Sequence, residues 1–134
     1  MRKTVYNKLV RTRIPTIIKQ NGSEPIIVEH ETRSKEALEL LKNKILEEAT
    51  EIVETKADDE LLEELADLQT VIDTLVLCYF GHRGKSMIET VMESKEITRG
   101  VFIDSKDSGS NNVPTYFLNE LVEVRHDAEK KENG

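Results

Sequence analysis

The chain has 134 residues, enough for one domain with its own core, and a single cysteine, Cys78, which excludes an internal disulfide. A formal net charge of −7 excludes general nucleic-acid binding. With 37% hydrophobic and 34% charged residues the chain suits water, and its core is lean enough to hint at contacts between copies.

In chain order, the N-terminal arm is basic, with Arg2, Lys3, Lys8, Arg11 and Arg13. Pro15 fits the first turn of a short helix that runs to about Gln20 and stops at Asn21-Gly22. The β-branched run at 25–29 predicts a short strand. Ser34 is the expected N-cap of a long helix over about 34–55, without a full capping box because Ala37 stands three residues on. Lys56 to Asp59 is a polar break, with Asp58 or Asp59 expected to cap a second helix over about 60–80. Gly81 and Gly84 bracket a turn, and a third helix from about 85 to 98 ends at Gly100. Residues 104–112 predict a flexible loop, 115–124 a strand able to pair with the first, and the charged tail from about 126 is expected to fray. The fold expected is all-α: one domain over 1–134, its core about 6–102, with a small peripheral two-stranded β element.

Two acidic pairs stand out, Glu48 with Glu51 and Glu64 with Asp67, each three residues apart in a predicted helix. Residues at that spacing share a helix face, so two antiparallel helices can aim four carboxylates at one point. Glu48 falls inside the apolar stripe of Leu38, Leu41, Ile45, Ala49 and Ile52, where a lone carboxylate is costly and needs a cation or hydrogen bonds. On the next helix Leu61, Leu65, Leu68, Ile72 and Val76 form the main apolar face, and Glu64 and Asp67 lie beside it in line with Val71, Thr74 and Cys78. Glu-rich helices also carry such spacings on solvated faces. The second pair and the position of Glu48 argue for a metal instead, and an all-oxygen donor set suits Mg²⁺, with Mn²⁺ as a substitute.

Lys95 and Arg99 lie on one face at the end of the third helix, where they can grip phosphates or simply complement the helix dipole. Lys8 and Arg11 pose the same choice between phosphate contact and solvated arm. His30, His82 and His126 lack metal-ligand spacing, so zinc is not expected. The longest apolar run, Leu75 to Phe80, is too short to span a bilayer, and residues 1–10 lack a signal peptide's apolar stretch. A cytoplasmic location without membrane partners is therefore expected.

The run Tyr6-Asn7-Lys8-Leu9-Val10-Arg11, followed by Ile14-Pro15, resembles the N-terminal motif of phosphoribosyl-ATP pyrophosphohydrolase-like proteins, in the MazG-like all-α nucleoside triphosphate pyrophosphohydrolase superfamily. Glu47-Glu48-Ala49-Thr50-Glu51 and Glu64-Leu65-Ala66-Asp67 resemble that superfamily's Glu-Glu-x-x-Glu and Glu-x-x-Asp signature. Lys95-Glu96-Ile97-Thr98-Arg99-Gly100-Val101-Phe102 resembles its Lys-x-x-x-Arg-Gly-x-Phe. The matches occur in the family's order over about 6–102. Thr12 departs from the Asp that usually follows the N-terminal Arg.

The resemblance implies a helical bundle completed by subunit pairing, with Glu48, Glu51, Glu64 and Asp67 holding Mg²⁺. It implies cleavage between the α- and β-phosphates of a nucleotide to a monophosphate and pyrophosphate, in house-cleaning of aberrant nucleotides. Glu47 or Glu51 is the expected base toward water, and Lys95 and Arg99, with Lys8 and Arg11, the expected phosphate contacts. Two other readings stand beside it: phosphoribosyl-ATP hydrolysis in histidine synthesis, and a non-catalytic helical oligomerisation or regulatory module. Because the 60–80 helix is apolar on more than one side, a homodimer or homotetramer is expected, with the metal site near the subunit contact.

Overall fold

Ser34 starts the first long helix as expected. Its Oγ accepts the Ala37 backbone N–H at 3.1 Å, and its extended backbone turns the chain into α2, Lys35–Glu54. Thr55 leaves the helical region and its Oγ1 donates to the Ile52 carbonyl at 2.7 Å. A link of 55–57 then leads into α3, Asp58–Phe80. The N-cap position of α3 is Ala57, not Asp58 or Asp59. The first turn instead holds Asp58, Asp59 and Glu60, which suits the helix N-terminal partial charge, and Asp59 Oδ1 accepts the Glu60 N–H at 3.0 Å. The short α1, Ile14–Gln20, precedes these with Pro15 in its first turn.

The computed structural model describes residues 2–103 and 115–124. It divides into two units, Met1–Met92 and Glu93–Gly134. In the first unit α2 and α3, joined by the short link, form an antiparallel helix pair. Gly81 takes φ 75° and opens a 3₁₀ turn, Gly81–Arg83, before α4, Gly84–Arg99. Gly84 is buried where α4 starts against the end of α3. A Cβ there would stand 2.7 Å from Val76 Cγ1 and 2.8 Å from its carbonyl oxygen, so only glycine permits the approach.

Leu41 and Val71 are the buried apolar residues among those described, and Glu48, only 5% exposed, is the buried charged one. Leu38, Ile45, Leu61, Leu68, Leu75 and Cys78 are half-buried around them. The most deeply buried apolar residue of α3 is therefore Val71, in line with Glu64 and Cys78, whereas Leu65 on the expected main face is exposed. Leu61, Leu68, Ile72 and Val76 on the expected main face are half-buried, so α3 is partly covered along both of its apolar rows. On the first turns of α4, Met87, Ile88, Val91 and Met92 are exposed.

The two-stranded β element is not present among the described residues. Residues 25–29 and 115–124 have no strand hydrogen bonding, and Ile26, Val28, Tyr116 and Leu121 are exposed. β-branched composition favours an extended backbone but supplies no ladder partner, and a strand without one does not form. The second unit contains the end of α4 and then chain without regular structure through its described residues. Gly100, at φ 82°, ends α4 in the left-handed region, its N–H donating to the Glu96 carbonyl at 2.9 Å. The expected loop at 104–112 and frayed tail from 126 lie outside the described residues. No helix among the described residues is long and apolar enough to cross a membrane.

Candidate metal centre

The spacing of three on each helix brings Glu48 and Glu51 of α2 to one face and Glu64 of α3 opposite them. One carboxylate oxygen from each of the three lies within 4.8 Å of the others. Burial is uneven: Glu48 is enclosed, while Glu51 and Glu64 are half-buried at the rim. Two oxygens, Glu48 Oε2 and Glu64 Oε2, are buried and have no hydrogen-bond partner. A buried carboxylate oxygen left unpaired is costly, and three carboxylates this close repel one another.

Their electrostatics record that strain. Burial above all, then the close approach of the Glu51 carboxylate, raises Glu48 above the ordinary carboxylate range. Glu64 is pushed up to about 7, first by the adjacent Glu51 carboxylate, then by burial and by Glu48. The metal-free cluster therefore retains protons that an isolated carboxylate would release. An oxygen-only set with buried unpaired atoms fits a hard divalent cation, which would neutralise the charge and fill the open acceptor positions.

Asp67 is not a member of this group. Its Oδ1 accepts a hydrogen bond from Arg11 Nη2 at 2.8 Å. Glu47 is turned to cations too: Lys8 Nζ lies 3.1 Å from its Oε1 and Lys44 Nζ 3.3 Å from its Oε2. Burial works to raise Glu47, but the hydrogen bonds from Lys8 and Lys44 outweigh it and hold the carboxyl below its usual range. Lys8 in turn is raised by the hydrogen bond to Glu47. The basic arm thus bridges both helices, Lys8 onto α2 and Arg11 onto α3. Lys44, not singled out from the sequence, also lies 3.6 Å from Glu48 Oε1. Its position four residues before Glu48 was the available signal.

An acidic cleft of about 390 Å³ adjoins the triad, lined by Glu51, Glu54, Thr55, Glu60, Glu63 and Glu64. Lys95 and Arg99 are exposed on the last turns of α4, in the second unit. The residues expected to act together are therefore found in three settings. Glu48, Glu51 and Glu64 meet, Glu47 and Asp67 are held by the arm's cations, and Lys95 and Arg99 belong to the other unit. The chain matches no protein-family model, no curated protein and no solved structure.

Proposed function

We propose that the protein is a Mg²⁺-dependent nucleotide pyrophosphohydrolase of the MazG-like kind, cleaving the α–β phosphate bond to release a monophosphate and pyrophosphate. The observation that carries this reading is the pair of buried, unpartnered oxygens on Glu48 and Glu64, with Glu51 completing the set. That arrangement is costly for a merely structural cluster and suits a cation site. The three motifs in family order over about 6–102 point the same way.

Glu48, Glu51 and Glu64 would hold the ion, with Asp67 as fourth ligand. The bound ion supplies positive charge for phosphate oxygens and makes a nearby water more acidic. Glu51, half-buried and without a lysine partner among the described ion pairs, would accept the water's proton. Glu47 is the weaker acceptor, because Lys8 and Lys44 hold it ionised. Lys8 and Arg11 would neutralise the phosphate tail, a task that an acidic cleft alone cannot perform. The exposed apolar residues of α4 suit burial against a second copy, which would complete the bundle as a homodimer or homotetramer.

A panel of nucleoside triphosphates, assayed with Mg²⁺ for monophosphate and pyrophosphate, tests the reading. We expect both products in equal amounts and none after chelation. Orthophosphate and a diphosphate as first products would place the cut elsewhere and refute it.

A further inference from the structure

Among the described residues, 2–10 make no backbone–backbone hydrogen bond, so side chains hold the arm to the helix pair. Arg11 reaches Asp67 and Lys8 reaches Glu47, each through a cation more than half exposed, in pairs of the kind that hold weakly. Neither cation is paired with the buried oxygens of Glu48 and Glu64. Asp67 follows Glu64 by three residues on α3 and shares its face, yet it stands outside the triad and its Oδ1 accepts from Arg11 Nη2 at 2.8 Å. A cation drawn to the unpartnered oxygens would compete with the guanidinium for Asp67, since two cations at one exposed carboxylate repel.

We infer that Arg11 is an exchangeable counterion of Asp67. It holds the carboxylate while no metal is bound, and it is released when a divalent cation recruits Asp67. The freed guanidinium then receives a phosphate beside the ion. The inference rests on the metal-centre reading above and deepens it by making anion binding conditional on metal. Until the cation arrives, the cleft lined by Glu51, Glu54, Glu60, Glu63 and Glu64 repels a polyphosphate, and Arg11 is engaged elsewhere.

The test is calorimetric Mn²⁺ binding to the wild type, Arg11→Ala, Asp67→Asn and the double variant. Removing Arg11 should tighten Mn²⁺ by about two- to fivefold, the range set by an exposed ion pair. The same substitution in the Asp67→Asn background should leave affinity unchanged. An equal gain in both backgrounds would mean that Arg11 acts only through its charge, and overturns the exchange, as does no gain in Arg11→Ala. Should Asp67→Asn bind too weakly to measure, the Arg11 side-chain Nε–H signal in nitrogen NMR decides, assigned by its loss in Arg11→Lys. It should become mobile at saturating Mg²⁺, and an unchanged signal overturns the exchange. A wild type that takes up neither Mn²⁺ nor Mg²⁺ removes the metal centre and the exchange together. Metal uptake without release of Arg11 removes the exchange alone.

Discussion

Glu48 on α2 and Glu64 on α3 meet across the helix pair with one buried, unpartnered oxygen each. Two acids facing each other oppose folding, because like charges are forced together in a partly dry space, and Lys44, 3.6 Å from Glu48 Oε1, offsets only part of that repulsion. The first prediction follows. Glu48→Gln removes one charge and supplies a donor, so the metal-free protein at neutral pH should gain roughly 1 kcal/mol, in the range typical when a strained functional residue is replaced. The same variant should lose the rise in melting temperature expected when Mg²⁺ is added to the wild type. Thermal melts with chelator and with Mg²⁺ check both parts; a variant less stable in chelator counts against the strained pair.

A second prediction concerns pH. Glu64 titrates at about 7 in the folded, metal-free protein against an ordinary 4.5. The folded state therefore holds a proton that the unfolded state has already released between these values. Below about 4.5 both states are protonated and nothing is lost. As pH rises through the window stability declines, and above about 7 the whole penalty applies. The groups facing Glu64 from α2 are Glu48, Glu51 and, through Glu48, Lys44; Glu48 is raised as well and acts in the same sense. Metal binding must expel these protons, so Mg²⁺ affinity should climb through the same window. Melts in chelator across it should slope downward, and Glu64→Gln should flatten the slope. A wild type equally stable across the window would contradict the assignment.

Turnover should separate the roles of the acidic residues. Glu48→Gln and Asp67→Asn are expected to lose at least about 100-fold in kcat while helical circular dichroism is retained, since each would remove a charged ligand from the proposed hard-metal site. Near wild-type rates at saturating Mg²⁺ in either variant would rule that residue out as a ligand.

Lys95→Ala and Arg99→Ala are expected to act mainly on KM, raising it by roughly tenfold, because a cation on the phosphate tail binds substrate and transition state alike. A fall in kcat with unchanged KM would assign them to the reacting phosphate instead.

Assembly can be tested at two positions with opposite burial. Val71 is buried between α2 and α3, so Val71→Glu should unfold the protomer. Val91 is exposed on α4, so Val91→Glu should leave the helix pair intact and dissociate an oligomer that covers that face. Light scattering that finds the wild type to be an active monomer of 15.3 kDa would dispose of the assembly.

Much of the helical framework was legible in the residues themselves. Ser34, Pro15, Gly81 and Gly100 are local signals, and each acts on the backbone within a few residues of itself. The spacing of Glu48 with Glu51, and the place of Glu48 in the apolar stripe of α2, were equally local. They carried the triad because helix period alone puts such residues on one face. The strand readings at 25–29 and 115–124 rested on propensity, and propensity says nothing about a partner.

What the tertiary structure alone decided is how the charges are paired. Nothing near Asp67 in the chain marks Arg11 as its partner, 56 residues away, nor Lys8 as the partner of Glu47. The face of α3 that turns to α2 was likewise undecided, since both of its rows are apolar enough to be buried. Helix periodicity is a property of neighbours in sequence. Ion pairing and the choice of buried face depend on which distant groups the folded chain brings within a few ångströms, because Coulomb attraction and desolvation act over distance in space rather than along the chain.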